Sequence, residues 1–271
     1  MHQNTTESRL LRGIVLAAML TACSDDPTGP PGLQRIQCTP DNGGITLPAG
    51  FCAVVVAGPL MIDGDTARLR HMVVTPAGDL FVAVNSPGNN NPSFGIIGLR
   101  DTNDDGVADA ETRFSANLGG SGIAWGQGRL YLGANDRVVR FPLPSGQLEP
   151  TGTAEVVVSG LPSTGDHISK TLVLADAQNL YVNIGSASNS CQVLNRQPQS
   201  PGLFPCPELP TRAGVWLFNP NFTNQAQSAG RRYATGLRNM VALAVNPQNN
   251  EVYGVQHGRD MGSRTGHSSS R

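Results

Sequence analysis

The chain has 271 residues, a formal net charge of −1, only 14% charged residues, and 32 glycines and 20 prolines. It is long enough for a sizeable core, but turn formers interrupt almost every apolar run, which excludes a long-helix protein and argues for many short strands. The near-neutral charge, with no long basic run, excludes the electrostatic footprint of a nucleic-acid binder.

The amino terminus reads as an address. Arg9 and Arg12 precede an apolar stretch from residue 13 to 20, the layout of a secretory signal and too short to span a membrane comfortably. Leu20-Thr21-Ala22-Cys23 resembles a bacterial lipobox. Residues 1–22 are therefore expected to be a lipoprotein signal peptide and Cys23 the lipidated first residue of the mature chain. An ordinary signal peptide cut nearby is the alternative. The expected location is the bacterial cell envelope or periplasm, with membrane contact through the lipid anchor only. Residues 23–52 follow as a flexible tether, rich in Asp, Pro and Gly, and an N-terminal cysteine loop. Export makes Cys38, Cys52, Cys191 and Cys206 disulfide candidates with three possible pairings. Sequence proximity favours Cys38–Cys52 and Cys191–Cys206, against the alternative that some thiols stay free.

From residue 53 onward the chain reads as strands and turns. Residues 53–60 (Ala-Val-Val-Val-Ala-Gly-Pro-Leu) look like an opening strand. A phrase of apolar strand, polar turn and second apolar strand then recurs four times, starting at Arg70-His71, Gly122, Asp166-His167 and Arg238-Asn239. Residues 94–100, 137–142, 155–159, 214–218 and 231–235 supply further strands. The closing strands near Phe81, Tyr131, Tyr181 and Tyr253 are spaced by about 50, 50 and 72 residues, the last gap lengthened by the cysteine loop. Repeated antiparallel units of this kind suggest β-propeller blades. Residues 53–271 are thus expected to be an all-β, partial propeller of four-stranded blades, with about four blades present. If the blade starts converge on one end of a central channel, His71, His167, Arg238 and Asn239 come together although sequence scatters them.

Each of these residues has a chemistry to offer. A histidine titrates near neutrality and can take a proton from an alcohol; Asp166 is adjacent, but neighbours on an extended strand point to opposite faces. A guanidinium beside an amide, as in Arg238-Asn239, suits a carboxylate or quinone oxygen. In Gln256-His257-Gly258-Arg259-Asp260 the glycine permits close backbone approach, so the carbonyls of Gly258 and Arg259 could reach a cation. Asp101, Asn103 and Asp105 alternate ahead of Gly106, as in calcium loops, with Asp109 placed to act through water. Thr112 stands where such a loop has its bidentate glutamate, so a solvated Asp/Asn-rich turn is the competing reading.

Several short segments together resemble the soluble glucose/sorbosone dehydrogenase family, which uses pyrroloquinoline quinone (PQQ) on a six-bladed propeller. They are Gly165-Asp166-His167 with Thr171-Leu172, residues 180–186 (Leu-Tyr-Val-Asn-Ile-Gly-Ser), Ser188-Asn189-Ser190-Cys191, residues 233–239 (Tyr-Ala-Thr-Gly-Leu-Arg-Asn) and His257-Gly258-Arg259-Asp260. The likeness covers roughly residues 50–262, about the amino-terminal two-thirds of a typical family domain, and is nearer the sorbosone-dehydrogenase-like branch. It implies that His167 is the general base removing the hydroxyl proton while hydride passes to the quinone, and that Arg238 polarises the quinone carbonyl. It implies that Asn239 holds a quinone oxygen and that the Gly258 and Arg259 carbonyls bind the Ca2+ that anchors the cofactor; His71, brought in by the convergence of blade starts, is a further cofactor-binding candidate. Met240 departs from the family's common proline and Lys170, the only lysine, from its frequent arginine. Later blades of the family supply further basic residues that nothing here replaces.

The resemblance therefore implies an exported quinoprotein dehydrogenase of a sugar, sugar aldehyde or polyol, truncated at its carboxyl end, passing electrons to an acceptor in the cell envelope. Two other readings compete: a non-catalytic propeller that binds carbohydrate or protein, and a calcium-dependent propeller lactonase.

Overall fold

The computed structural model describes residues 36–62, 65–85, 95–115 and 118–260. The expected signal peptide, lipidation site Cys23, the tether to residue 34 and the tail from Met261 lie outside them.

A short hairpin, β1 (Met61–Ile62) and β2 (Asp65–Thr66), precedes three larger sheets. The first is antiparallel in chain order: β3 (Arg68–Val74), β4 (Leu80–Asn85), β5 (Ile96–Arg100) and β6 (Ala110–Phe114). The second repeats this with β7 (Gly120–Gly126), β8 (Arg129–Ala134), β9 (Val138–Pro142) and β10 (Glu155–Ser159). The third begins with β11 (Leu172–Leu174), β12 (Leu180–Ile184) and β13 (Gly214–Phe218). The two-residue β14 (Gln225–Ala226) then reaches back to pair parallel with β10, and β15 (Arg231–Thr235) completes the third sheet. A two-stranded sheet follows, β16 (Met240–Val245) with β17 (Val252–Gln256). β3 packs on β7, β7 on β11 and β11 on β16. First strands that lie side by side while each sheet extends outward are the radial arrangement of propeller blades. The described residues hold three such sheets and the two-stranded one, without closing a ring.

Alternation along the strands builds the layers. On β8, Leu130 and Leu132 turn to the first blade and join Phe81, Ala83, Ile96 and Ile123. Tyr131 turns the other way, to the third blade, with Leu172, Leu180, Val182 and Trp216. Both faces of these strands are covered, so their sequences read as unbroken apolar runs rather than alternating ones. Glycine allows the second and third blades to meet: a Cβ on Gly122 or Gly133 would lie 2.2 or 2.1 Å from the carbonyl oxygen of Lys170.

Two strand assignments differ from the sequence reading. Residues 53–60 form no strand; their bonds are isolated, such as Ala108 N–H to the Val56 carbonyl, and Pro59 has no N–H to offer a ladder. Conversely, β6 was hidden behind the Asp/Asn-rich turn that precedes it. Its buried side chain is Thr112, which bonds Glu149, so it carries no apolar signature.

Candidate functional site

His167 sits in the loop before β11, buried to 8% exposure. Gly165 makes the turn possible: its φ is +89° and a Cβ would strike the Ala187 carbonyl at 2.6 Å. The imidazole Nδ1 lies 3.0 Å from the Ser186 carbonyl and 2.9 Å from its Oγ. The Ser186 hydroxyl gives its one proton to the Ser188 carbonyl at 2.6 Å. Both Ser186 oxygens therefore act as acceptors toward the ring, so Nδ1 carries the hydrogen and Nε2 keeps its lone pair. Burial holds the His167 pKa below the ordinary imidazole value; the Ser186 bond raises it, Arg238 lowers it, and Asp166 and Asp260 raise it.

Arg238, between β15 and β16, belongs to the same constellation. Its carbonyl accepts the Ser186 N–H at 2.7 Å. Gly185 lies between the two residues: a Cβ there would meet the His167 Cβ at 2.6 Å and the Arg238 carbonyl oxygen at 3.3 Å. The guanidinium donates from Nε to the Asn189 carbonyl (2.7 Å) and from Nη2 to Asn189 Oδ1 and Asp260 Oδ2 (both 2.8 Å). The Asp260 N–H returns a bond to Asn189 Oδ1 at 2.9 Å. Asp260 Oδ2 also accepts from Arg196 Nη1 at 2.8 Å. Arg196 first, then Arg238, keep that carboxyl below the usual carboxylate range, against burial.

The other residues singled out from sequence fall in several places. Asp166 does not orient His167; it accepts from Arg196 Nε (3.1 Å) and Asn195 Nδ2 (3.2 Å), because the turn aims it outward while the imidazole turns in. Asn239 lies beside Arg238, and its carbonyl accepts the His257 N–H at 3.0 Å. His71 is half-buried on β3 and hydrogen-bonds the backbone of Val241; burial is the main cause of its lowered pKa. It thus reaches β16 near Arg238-Asn239, with no described bond to either. Gly258 has open space where a Cβ would stand, and Arg259 lines a small cleft with Asn189, Arg196 and Asp260.

Asp101, Asn103, Asp105 and Asp109 form a separate turn between β5 and β6. Asp101 accepts from the N–H groups of Asn103, Asp105 and Gly106, and Asp105 from Val107. Asp109 bonds Thr102 through both oxygens. Burial works to raise the Asp101 pKa, but the surrounding N–H groups together lower it. The turn caps itself, and among the described residues no group of three or more His, Cys, Asp or Glu side chains is placed to hold a metal. Ile36 and Val54, on either side of the loop closed by Cys38–Cys52, pack on Gly106. Cys191–Cys206 is also formed, with Cα atoms 6.1 Å apart. Both pairings favoured by proximity are thus present.

Sequence reasoning missed Ser186, Arg196 and Glu208 as participants. Ser186 lay inside a quoted segment, where its proximity to an imidazole cannot be read. Arg196 and Glu208 lie in or after a Pro-rich loop with no strand pattern to place them.

The fold and this constellation define a propeller-type protein with a buried imidazole and a guanidinium held by one loop. The TrAA12-like family model matches residues 46–270, and the chain belongs to that family. None of the curated proteins matches it. Among solved structures it is similar to the holo form of the PQQ domain of pyranose dehydrogenase from Coprinopsis cinerea, with 17% identity and a TM-score of 0.57 over 71% of this chain and 44% of that one. It is similar also to the calcium structure of a Trichoderma reesei AA12 enzyme (21%, 0.56, 71% and 46%) and to its iodide structure (21%, 0.56, 78% and 53%). The chain spans about half the length of these structures. At these identities the likeness establishes the fold.

Proposed function

We propose that the chain is a quinoprotein of the carbohydrate-oxidising kind, with its cofactor site built around His167 and Arg238. What carries this reading is the placement of His167: a buried imidazole whose Nδ1 is held by Ser186, so that Nε2 is left to act as a base, with the Ser186 N–H bonded to the backbone carbonyl of Arg238. The donor set suits PQQ, an ortho-quinone with three carboxylates. Arg238 and Arg196 are cationic donors, Asn189 and Asn239 carry amides, and the Ser190 hydroxyl is buried with no partner among the described residues. A cleft lined by Ser186, Asn189, Ser190 and Arg238 adjoins them.

On this reading Arg238 and Asn239 hold the quinone, with His71 approaching from β3, and the carbonyls of Gly258, where the backbone has open space beside it, and of Arg259 would hold Ca2+. Bound there, the quinone would supply a two-electron acceptor for a sugar carbon bearing a hydroxyl. His167 Nε2 takes that hydroxyl's proton, and the imidazolium it becomes is stabilised by the Ser186 oxygens. Its lowered pKa keeps it unprotonated at neutral pH. The substrate class is a sugar, sugar aldehyde or polyol, the electron acceptor lies in the cell envelope, and the protein is exported and anchored at Cys23. A solvated turn remains an alternative to structural calcium at Asp101, Asn103, Asp105 and Asp109.

Two measurements test this. The full chain supplied with PQQ and Ca2+ is expected to bind the quinone and reduce an electron-accepting dye with sugar. His167→Ala is expected to retain binding and lose at least about a hundredfold in turnover, and the wild-type acid limb is expected below the ordinary imidazole pKa. Quinone binding with wild-type turnover in His167→Ala would remove the base assignment. Lactone hydrolysis without quinone, or carbohydrate binding without turnover, would favour the other two readings.

A further inference from the structure

We infer that the loop closed by Cys191–Cys206 is an electrostatic strap over the site, and that Arg196 is its positioning residue. The inference rests on the proposed roles of His167 and Arg238 and adds the element that sets their charge environment.

Arg196 stands five residues into the loop, with φ +61°, a conformation unusual outside glycine. The loop is braced from within. Leu203 N–H bonds the Cys191 carbonyl (2.8 Å), Val193 N–H the Pro201 carbonyl (3.0 Å) and Leu194 N–H the Ser200 hydroxyl (2.9 Å). It is also tied to the site at both ends. Asn195 Oδ1 accepts the Asn189 N–H at 2.8 Å, and Glu208, just past Cys206, accepts the Ala187 N–H at 2.6 Å and bonds the Ser188 hydroxyl. Those are the residues that follow Ser186, the support of His167.

From this frame one guanidinium reaches two carboxylates. Arg196 Nε donates to Asp166, next to His167, and Nη1 to Asp260, which also holds Arg238. The charged groups acting on His167 are Arg238, Asp166 and Asp260. Arg196 pairs with two of these three and offsets part of their charge. Without it, Asp166 would keep only its Asn195 bond and would act more strongly on the imidazole, and Asp260 would bind Arg238 alone, leaving that guanidinium less available to an anionic ligand.

The test uses the full chain without added quinone, with the His167 imidazole titrated by NMR. Arg196 is substantially exposed, so Arg196→Ala is expected to fold. The His167 pKa is expected to rise by roughly half a unit, the size set by solvent-screened charges, and Arg196→Lys, which keeps the charge, is expected to bring most of it back. A Cys191→Ser/Cys206→Ser variant is expected to show the same rise. An unchanged titration in Arg196→Ala, or a rise that Arg196→Lys leaves in place, overturns the strap. PQQ affinity is a separate arm: Arg196→Ala is expected to weaken it about tenfold. If the wild-type chain binds no quinone, the cofactor reading fails while the titration still decides the strap.

Discussion

Lys170 shows how a single residue couples the site to the scaffold. Its ammonium is fully buried and donates to the carbonyls of Pro162 (2.9 Å) and Ile168, on either side of His167. Burial first, then Arg212, lower its pKa to about 8, with Asp136 opposing. The unfolded chain would hold that proton up to an ordinary lysine pKa, so between about pH 8 and 10.5 it binds more protons than the folded one. Stability is therefore expected to rise with pH across that window, by up to about 3 kcal/mol. Denaturant unfolding at several pH values measures it, and Lys170→Met should abolish the slope. His167 follows the same sign: its lowered pKa means stability is lost as pH falls below the ordinary imidazole value.

Among the elements, the strands of the second blade are the most constrained, because they are packed on both faces. β8 separates two cores residue by residue, and where Gly133 stands the space belongs to the Lys170 carbonyl. Gly133→Ala must push backbone apart there. It is expected to destabilise the protein by roughly 1–3 kcal/mol or more, read as a lowered unfolding midpoint. The loop that carries His167 leans on this junction, so displacement would be felt at the site. By contrast β16 and β17 expose alternate or successive residues, since no sheet covers one of their faces among the described residues.

For the molecule as a whole, those uncovered strands have a consequence. Leu69, Met72 and Val74 on β3 and Tyr253 and Val255 on β17 are more than 40% exposed, and β17 pairs on one edge only among the described strands. Apolar sheet faces and open edges invite association. The chain is expected to self-associate with rising concentration, measured by sedimentation velocity, and Val255→Lys is expected to shift it toward monomer. No helix among the described residues is long and apolar enough to cross a membrane.

Much of this was legible in the sequence. The four recurrent phrases located β3–β4, β7–β8, β11–β12 and β16–β17, because apolar runs bounded by turn residues are a local signal. Both disulfides followed from short separations. The closeness of His167 to Arg238 followed from the assumption that blade starts converge, and the structure does join them, through Ser186. What only the tertiary structure decided is which group serves which. Asp166, adjacent in sequence, turns away from His167 to Arg196, while Ser186, nineteen positions on, supplies the hydrogen bonds. Local pattern determines strands because it depends on neighbours along the chain. The tautomer of a histidine and the partners of a guanidinium depend on neighbours in space, and these exist only once three sheets have packed around a common axis.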